Sequence, residues 1–154
     1  MTEVKTILEM IESLAGYTEA EILRDHTDTL DEIDARVFFF KEYDGKVLFH
    51  KIDNGATFYY NPGDEENCYK YGNYYGTWVA PQYTRSRDAL KAIRPEGGWW
   101  EINTYSAGAF CFCQMDAWRK EPWFKSPGVG KYLPTEELAE LHAIVQAIEW
   151  ERSQ

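Results

Sequence analysis

The residue pattern predicts an α+β domain: an antiparallel sheet with helices packed on it, in the manner of an α/β/α sandwich. Three observations point there. Apolar residues recur at helical spacing near both ends of the chain. Aromatic, strand-like runs separated by Asp-Gly and Asn-Gly lie between them. The elements follow the order helices, strands, helix, strands, helix, which is an α+β arrangement. The 154 residues show no internal repeat and no linker, so residues 1–154 are expected to form a single domain, within which 1–35 are an N-terminal helical segment.

The first helix is expected over about 3–15. Val4, Ile7, Leu8, Ile11 and Leu14 make its stripe, with Thr2 as a cap and Gly16 as a stop. Thr18-Glu19-Ala20-Glu21 has the form of a capping box and opens a short helix to about Asp25. Thr29-Leu30-Asp31-Glu32 repeats that form, so a further turn or two of helix is expected there. At Arg36 the pattern changes. Residues 37–43, 46–52 and 56–60 read as three strands of an antiparallel meander, turned at Asp44-Gly45 and at Asp53-Asn54-Gly55.

Residues 61–77 then form a long polar loop carrying Tyr69, Tyr71, Tyr74 and Tyr75. A short strand is expected at 78–80, and a helix capped by Ser86 runs through Ala89, Leu90 and Ile93 to stop before Pro95. Gly97-Gly98 is a turn. Residues 99–105 and 107–115 are two further strands, followed by a second long loop over about 116–133. The last helix starts near Pro134 and buries Leu138, Leu141, Val145 and Ile148.

Composition narrows the function. No run of about 18 apolar residues occurs, so no membrane span is expected. No basic segment followed by an apolar one marks a secretory signal. Three cysteines, Cys68, Cys111 and Cys113, are an odd number and fit free thiols in a reducing cytoplasm. Cys111 and Cys113 would share one face of a strand. The formal net charge is −10, which opposes non-specific nucleic-acid binding. Residues 1–77 carry 7 basic and 16 acidic side chains, whereas 78–154 carry 9 and 10. The acidic excess is densest over 19–34, which reads either as a solvated helical face or as a patch for a basic partner.

The run Pro81-Gln82-Tyr83-Thr84-Arg85-Ser86-Arg87-Asp88-Ala89-Leu90, with Gly98-Trp99-Trp100-Glu101-Ile102 after it, resembles the phage ABA-sandwich domain family. The segment from Leu138 through Ile148 is similar to that family's closing helix, although it lacks the Cys-Arg pair often seen there. The resemblance covers about residues 78–150, and the first 77 residues match poorly. It implies a phage or prophage origin. It brings no catalytic motif to this chain.

The residues themselves assemble no reaction set. Metal binding needs about four ligands at workable spacing. Cys68, Cys111, Cys113, His26, His50 and His142 form no CxxC, HExxH or His-x-His pattern. Buried thiols are the expected state of Cys111 and Cys113. His142 lies beside the stripe of the last helix and reads as a partly buried, hydrogen-bonded residue rather than a base. Gly128-Val129-Gly130-Lys131 lacks the full phosphate-loop spacing. No enzyme, cofactor or metal site is expected.

Aromatic side chains in the loops suit recognition, because they offer large rigid contact area, but loops also fold back and bury their aromatics. The expected function is therefore that of a non-enzymatic phage-type counter-defence protein in the host cytoplasm. It would bind a host defence protein through an acidic face that imitates nucleic acid. The residues expected to carry this are Asp25, Asp28, Asp31, Asp64, Glu65 and Glu66, anchored by Tyr71, Tyr74 and Tyr75. The alternative is a sponge for a nucleotide signal, with Trp123 stacking the base and Arg85, Arg87, Lys125 and Lys131 holding phosphates. An enzyme acting on nucleotides or nucleic acid is the third reading, and a phage accessory or structural protein with no inhibitory role is the fourth. Aromatic surface also fits a homodimer.

Overall fold

A computed structural model gives the structure of the chain and describes residues 2–42, 49–53, 56–60, 69–70, 80–115, 123–126 and 132–153. Its elements, in chain order, are α1 (Thr2–Glu12), α2 (Glu19–Asp25), α3 (Thr27–Glu42), β1 (Phe49–Asp53), β2 (Ala56–Tyr60) and β3 (Tyr69–Lys70). The second half adds α4 (Arg87–Ile93), β4 (Trp99–Tyr105), β5 (Gly108–Gln114), β6 (Trp123–Lys125) and α5 (Glu136–Arg152). The class is α+β, with two antiparallel sheets. Among the described elements the main helix–sheet packing is that of α5 on the β4-β5-β6 sheet, with α1 and α4 packed on α5, so the described helices do not layer both faces as an α/β/α sandwich would require.

Helix starts are set by short polar side chains. Thr18 Oγ1 accepts the Glu21 amide at 3.2 Å while Glu21 Oε1 accepts the Thr18 amide at 3.1 Å, which completes the capping box of α2. Ser86 accepts the Ala89 amide and opens α4. Thr135 does the same for α5 by accepting from Leu138. Pro134 therefore precedes the cap, rather than standing in the first turn as the sequence suggested.

The largest correction concerns residues 37–43. The expected strand is instead the second half of α3, which runs through to Glu42. Aromatic and β-branched residues favour a strand, but Leu30, Ile33, Val37 and Phe40 also repeat at helical spacing and are all buried. Packing of that stripe against α1 decides the conformation. Two further expectations change with it. The Thr29 box is interior to α3, which begins at Thr27, and the N-terminal helical segment reaches 42 rather than 35. Tyr43 and the Asp44-Gly45 turn lie outside the described residues.

A three-stranded antiparallel sheet does form here, in the order β1-β2-β3. Asp53 stands opposite Ala56, so β1 and β2 pair as the Asn-Gly spacing required. The third strand is β3, inside the segment expected to be loop. Trp78 and Val79 lie outside the described residues, and Ala80 belongs to no strand.

The second sheet, β4-β5-β6, carries the core. Its strand β6 falls within the expected loop 116–133. The sheet's covered face presents Ala109, Cys111 and Cys113, all buried, to α5. On the far side of α5 lies α1, which also packs on α3. The predicted stripe of α5 is buried, but so is nearly every residue between Leu138 and Ile148, including Glu140 and His142.

Gly108 makes the start of β5 feasible. Ala109 exchanges two backbone hydrogen bonds with Leu133, at 2.7 and 3.2 Å. That pairing draws the chain before α5 tightly against Gly108, whose φ is 135°. A Cβ there would sit 2.4 Å from the Leu133 carbonyl oxygen. Gly97 also has positive φ, at 83°, but a Cβ there would meet nothing within 4 Å. Gly108→Ala is expected to cost more than about 2 kcal/mol, and Gly97→Ala about 1 kcal/mol. Urea unfolding of the two variants checks the difference, and equal losses would mean that the close approach to Leu133 is unimportant.

Candidate functional site

Two surfaces stand out, one on the helical side and one on the open face of the second sheet. The helical one begins with spacing. Asp31 and Asp34 lie three apart on α3 and therefore share a face. The turn before α4, closed by Tyr83 on Pro81 and by Arg85 on Gln82, delivers Thr84 and Arg85 to that face. The Thr84 amide donates to Asp34 Oδ1 at 2.8 Å. Arg85 Nη2 donates to Asp34 Oδ2 at 2.8 Å and to Asp31 Oδ1 at 2.5 Å. Asp34 is buried, and burial pushes its carboxyl up to about 6 even though Arg85 and the Thr84 amide pull it down.

Beside this pair lies a cleft of about 210 Å³. Ile22, Leu23, Leu30 and Leu138 supply apolar wall. Glu19 and Glu137 bring two carboxylates to it. Thr84, which is 3% exposed, also lines the cleft. Arg85 is already engaged by two aspartates, so the remaining charge of the cleft is negative.

The second surface follows from strand register. Residues directly opposite one another share a face of an antiparallel sheet. One row contains Trp99, Gln114 and Trp123; the next contains Glu101, Phe112 and Lys125. This face is opposite the one holding Cys111 and Cys113. Trp99 is 54% exposed and Trp123 is 47% exposed. Phe112 stands between them, with ring centroids 6.1 Å from Trp99 and 4.3 Å from Trp123. The result is an aromatic platform open to solvent, flanked by one acid and one base.

The expected site residues are scattered. Asp25 is exposed and paired with Arg24 at 2.8 Å. Asp28 is exposed in the first turn of α3. Asp31 faces inward onto Arg85. Asp64, Glu65, Glu66, Tyr71, Tyr74, Tyr75 and Lys131 lie outside the described residues. Of the phosphate-holding set, Arg85 is held by the aspartates and Arg87 pairs with Glu136 at 2.8 Å and Glu140 at 3.8 Å. Trp123 and Lys125 lie together on the open face, away from both arginines. Glu19 opens the acidic stretch 19–34 that the sequence offered to a basic partner, whereas Trp99, Phe112 and Glu137 are not among the expected site residues. The alternation Phe110-Cys111-Phe112-Cys113 held the signal for Phe112: a strand apolar on both faces leaves one of them to be covered.

The two buried thiols and the buried histidine are neutral. Burial pushes the Cys111 and Cys113 thiols up to about 12, which leaves them protonated. Burial pushes His142 down to about 4. Gln146 Nε2 lies 3.1 Å from His142 Nδ1, and His142 Nε2 lies 3.6 Å from Glu12 Oε1. Among the described residues no group of three or more His, Cys, Asp and Glu is placed to hold a metal ion. No described helix is long and apolar enough to cross a membrane. No protein-family model matches the chain, and no similar curated protein or solved structure was found.

The two buried titrating groups have opposite pH signatures. His142 has a depressed folded pKa, so the stability it contributes is present above its ordinary value of 6.5 and is lost as pH falls toward 4. The full loss is about 3 kcal/mol. Asp34 has a raised folded pKa, so its contribution is present below its ordinary 3.8 and is lost as pH rises through about 6. The slopes oppose one another in the wild type. His142→Gln is expected to gain stability relative to wild type between pH 7 and pH 4, and Asp34→Asn to lose it. Urea unfolding across that range measures both, and three parallel stability curves would refute the assignment.

Proposed function

We propose that this is a non-enzymatic binding protein of phage counter-defence type, which inhibits a host antiviral component by receiving basic side chains on its acidic helical side. The observation that carries the reading is the cleft beside Asp34 and Arg85. Its apolar wall suits the methylene stem of a lysine or arginine, and Glu19 and Glu137 suit the charged head. Asp28 adds negative charge on the exposed first turn of α3. A net charge of −10 speeds association with a basic surface and discourages binding to nucleic acid itself.

The viral setting is supported by the resemblance of residues 78–150 to the phage ABA-sandwich family. The odd cysteine count fits the bacterial cytoplasm as the compartment. A binding role is also in keeping with the chemistry of the core. Its histidine is buried in the neutral form, and its thiols are protonated.

The test is plaque formation on bacteria carrying individual antiviral systems, with and without the protein. The expected outcome is relief of restriction in at least one system. Reversing Glu19, Asp28 and Glu137 to lysine is expected to reduce that relief at least about tenfold. The variant is expected still to unfold cooperatively but to melt somewhat lower, because all three acids stand in first turns of helices. Relief that survives the triple reversal, or no relief in any system, would overturn the reading.

A further inference from the structure

We infer that the open face of the β4-β5-β6 sheet is a self-association surface, closed by a second copy of this chain around a two-fold axis parallel to the strands. The inference is independent of the acidic cleft. It rests on the order of side chains across the sheet. In one row an acid, Glu101, and a base, Lys125, flank the central Phe112. In the adjacent row Trp99 and Trp123 stand at the same two edges.

A two-fold axis running along β5, between two facing sheets, exchanges left and right edges. It therefore sets Glu101 opposite the partner's Lys125, and Lys125 opposite the partner's Glu101. Trp99 meets the partner's Trp123, and Phe112 meets its own copy. Every charge on the two central rows finds its opposite, and every aromatic finds an aromatic. Facing sheets pack in this way with their strands nearly aligned, about 10 Å apart.

The exposures say what the face lacks. Two tryptophans about half exposed, touching a common phenylalanine, form a contiguous aromatic patch of the kind that interfaces cover. A nucleic-acid strand would meet one lysine and one glutamate here, with no excess of positive charge to hold its phosphates. A second copy meets a matched pair on each side. The chain's acidic excess belongs to residues 1–77, whereas the Glu101–Phe112–Lys125 row is neutral. Three strands about 4.8 Å apart, with a rise of about 3.4 Å per residue, give a small footprint, so the association is expected to be weak.

The test is sedimentation equilibrium of the full chain, up to about 500 µM. Glu101→Lys and Lys125→Glu are made singly, and then the two variants are mixed. Both side chains are exposed, and thermal melts confirm that the variants fold. The wild type is expected to dimerise. Each single swap creates two like-charge contacts across the axis and is expected to weaken the dimer at least about tenfold. The equimolar mixture restores both pairs and is expected to return to within about threefold of wild type. A wild type that stays monomeric throughout overturns the inference. So does a dimer indifferent to the swaps, and so does a mixture that fails to recover after both singles have weakened.

Discussion

The structure depends on α5 being enclosed on nearly every side. A helix with one apolar stripe can leave its polar residues in water. This one cannot, because the sheet covers one flank, α1 another and α4 a third. Its polar groups must therefore find partners in the elements that enclose it, and those partners hold the fold together. Glu140, fully buried, is paired with Arg94 at the end of α4 and lies 3.8 Å from Arg87 at its start. Removing one side of such a buried pair costs about 3–5 kcal/mol, because it strands a charge away from water. Gln146 reaches across to the Lys125 carbonyl and so ties the helix to β6. Arg152 donates to the carbonyls of Phe40 and Lys41, which are among the last of α3 and have no partner within their own helix. One helix thus fixes α4, β6 and the end of α3.

That constraint also explains what could be read in the sequence. Elements with local determinants were legible: the capping box at Thr18, the Ser86 cap, the Asn-Gly spacing between β1 and β2, and the alternation along β4 and β5. Elements decided by tertiary burial were not. Residues 37–42 carry aromatic and β-branched side chains that suit a strand, and only their packing against α1 makes them helix. The strand β6 has three residues and exists because β5 offers it an edge. The candidate sites divide in the same way. An acidic helical segment was visible as composition. That Asp31 turns inward to Arg85, leaving Glu19 and Glu137 to face a cleft, depends on a turn more than 50 residues further along the chain.

Charge and aromaticity end up on opposite sides of the second sheet. The helix α5 packs against the Cys111 and Cys113 face, and the acidic cleft is built on that side, among α2, α3 and the start of α5. The other face keeps Trp99, Phe112 and Trp123. The separation has a physical origin. Burying α5 against one face uses up the sheet's small residues, Ala109, Cys111 and Cys113, which let the helix approach closely. The bulky residues of the same strand, Phe110 and Phe112, are thereby sent outward by the period of two.

This arrangement links the two surfaces without any contact between them. A dimer closed through the aromatic face leaves the helical side of each copy pointing away from the axis. Both acidic clefts then stay open, carried on one rigid body rather than on a flexible tether. A target with two basic sites, or a symmetric target, would meet the second cleft as an intramolecular event once the first is occupied. The gain would depend on the spacing of the target's sites, because a rigid pair cannot adjust its span. Weak self-association would then serve to multiply a weak single contact. The small footprint of the aromatic face, which limits the dimer's own affinity, would make that multiplication depend on protein concentration.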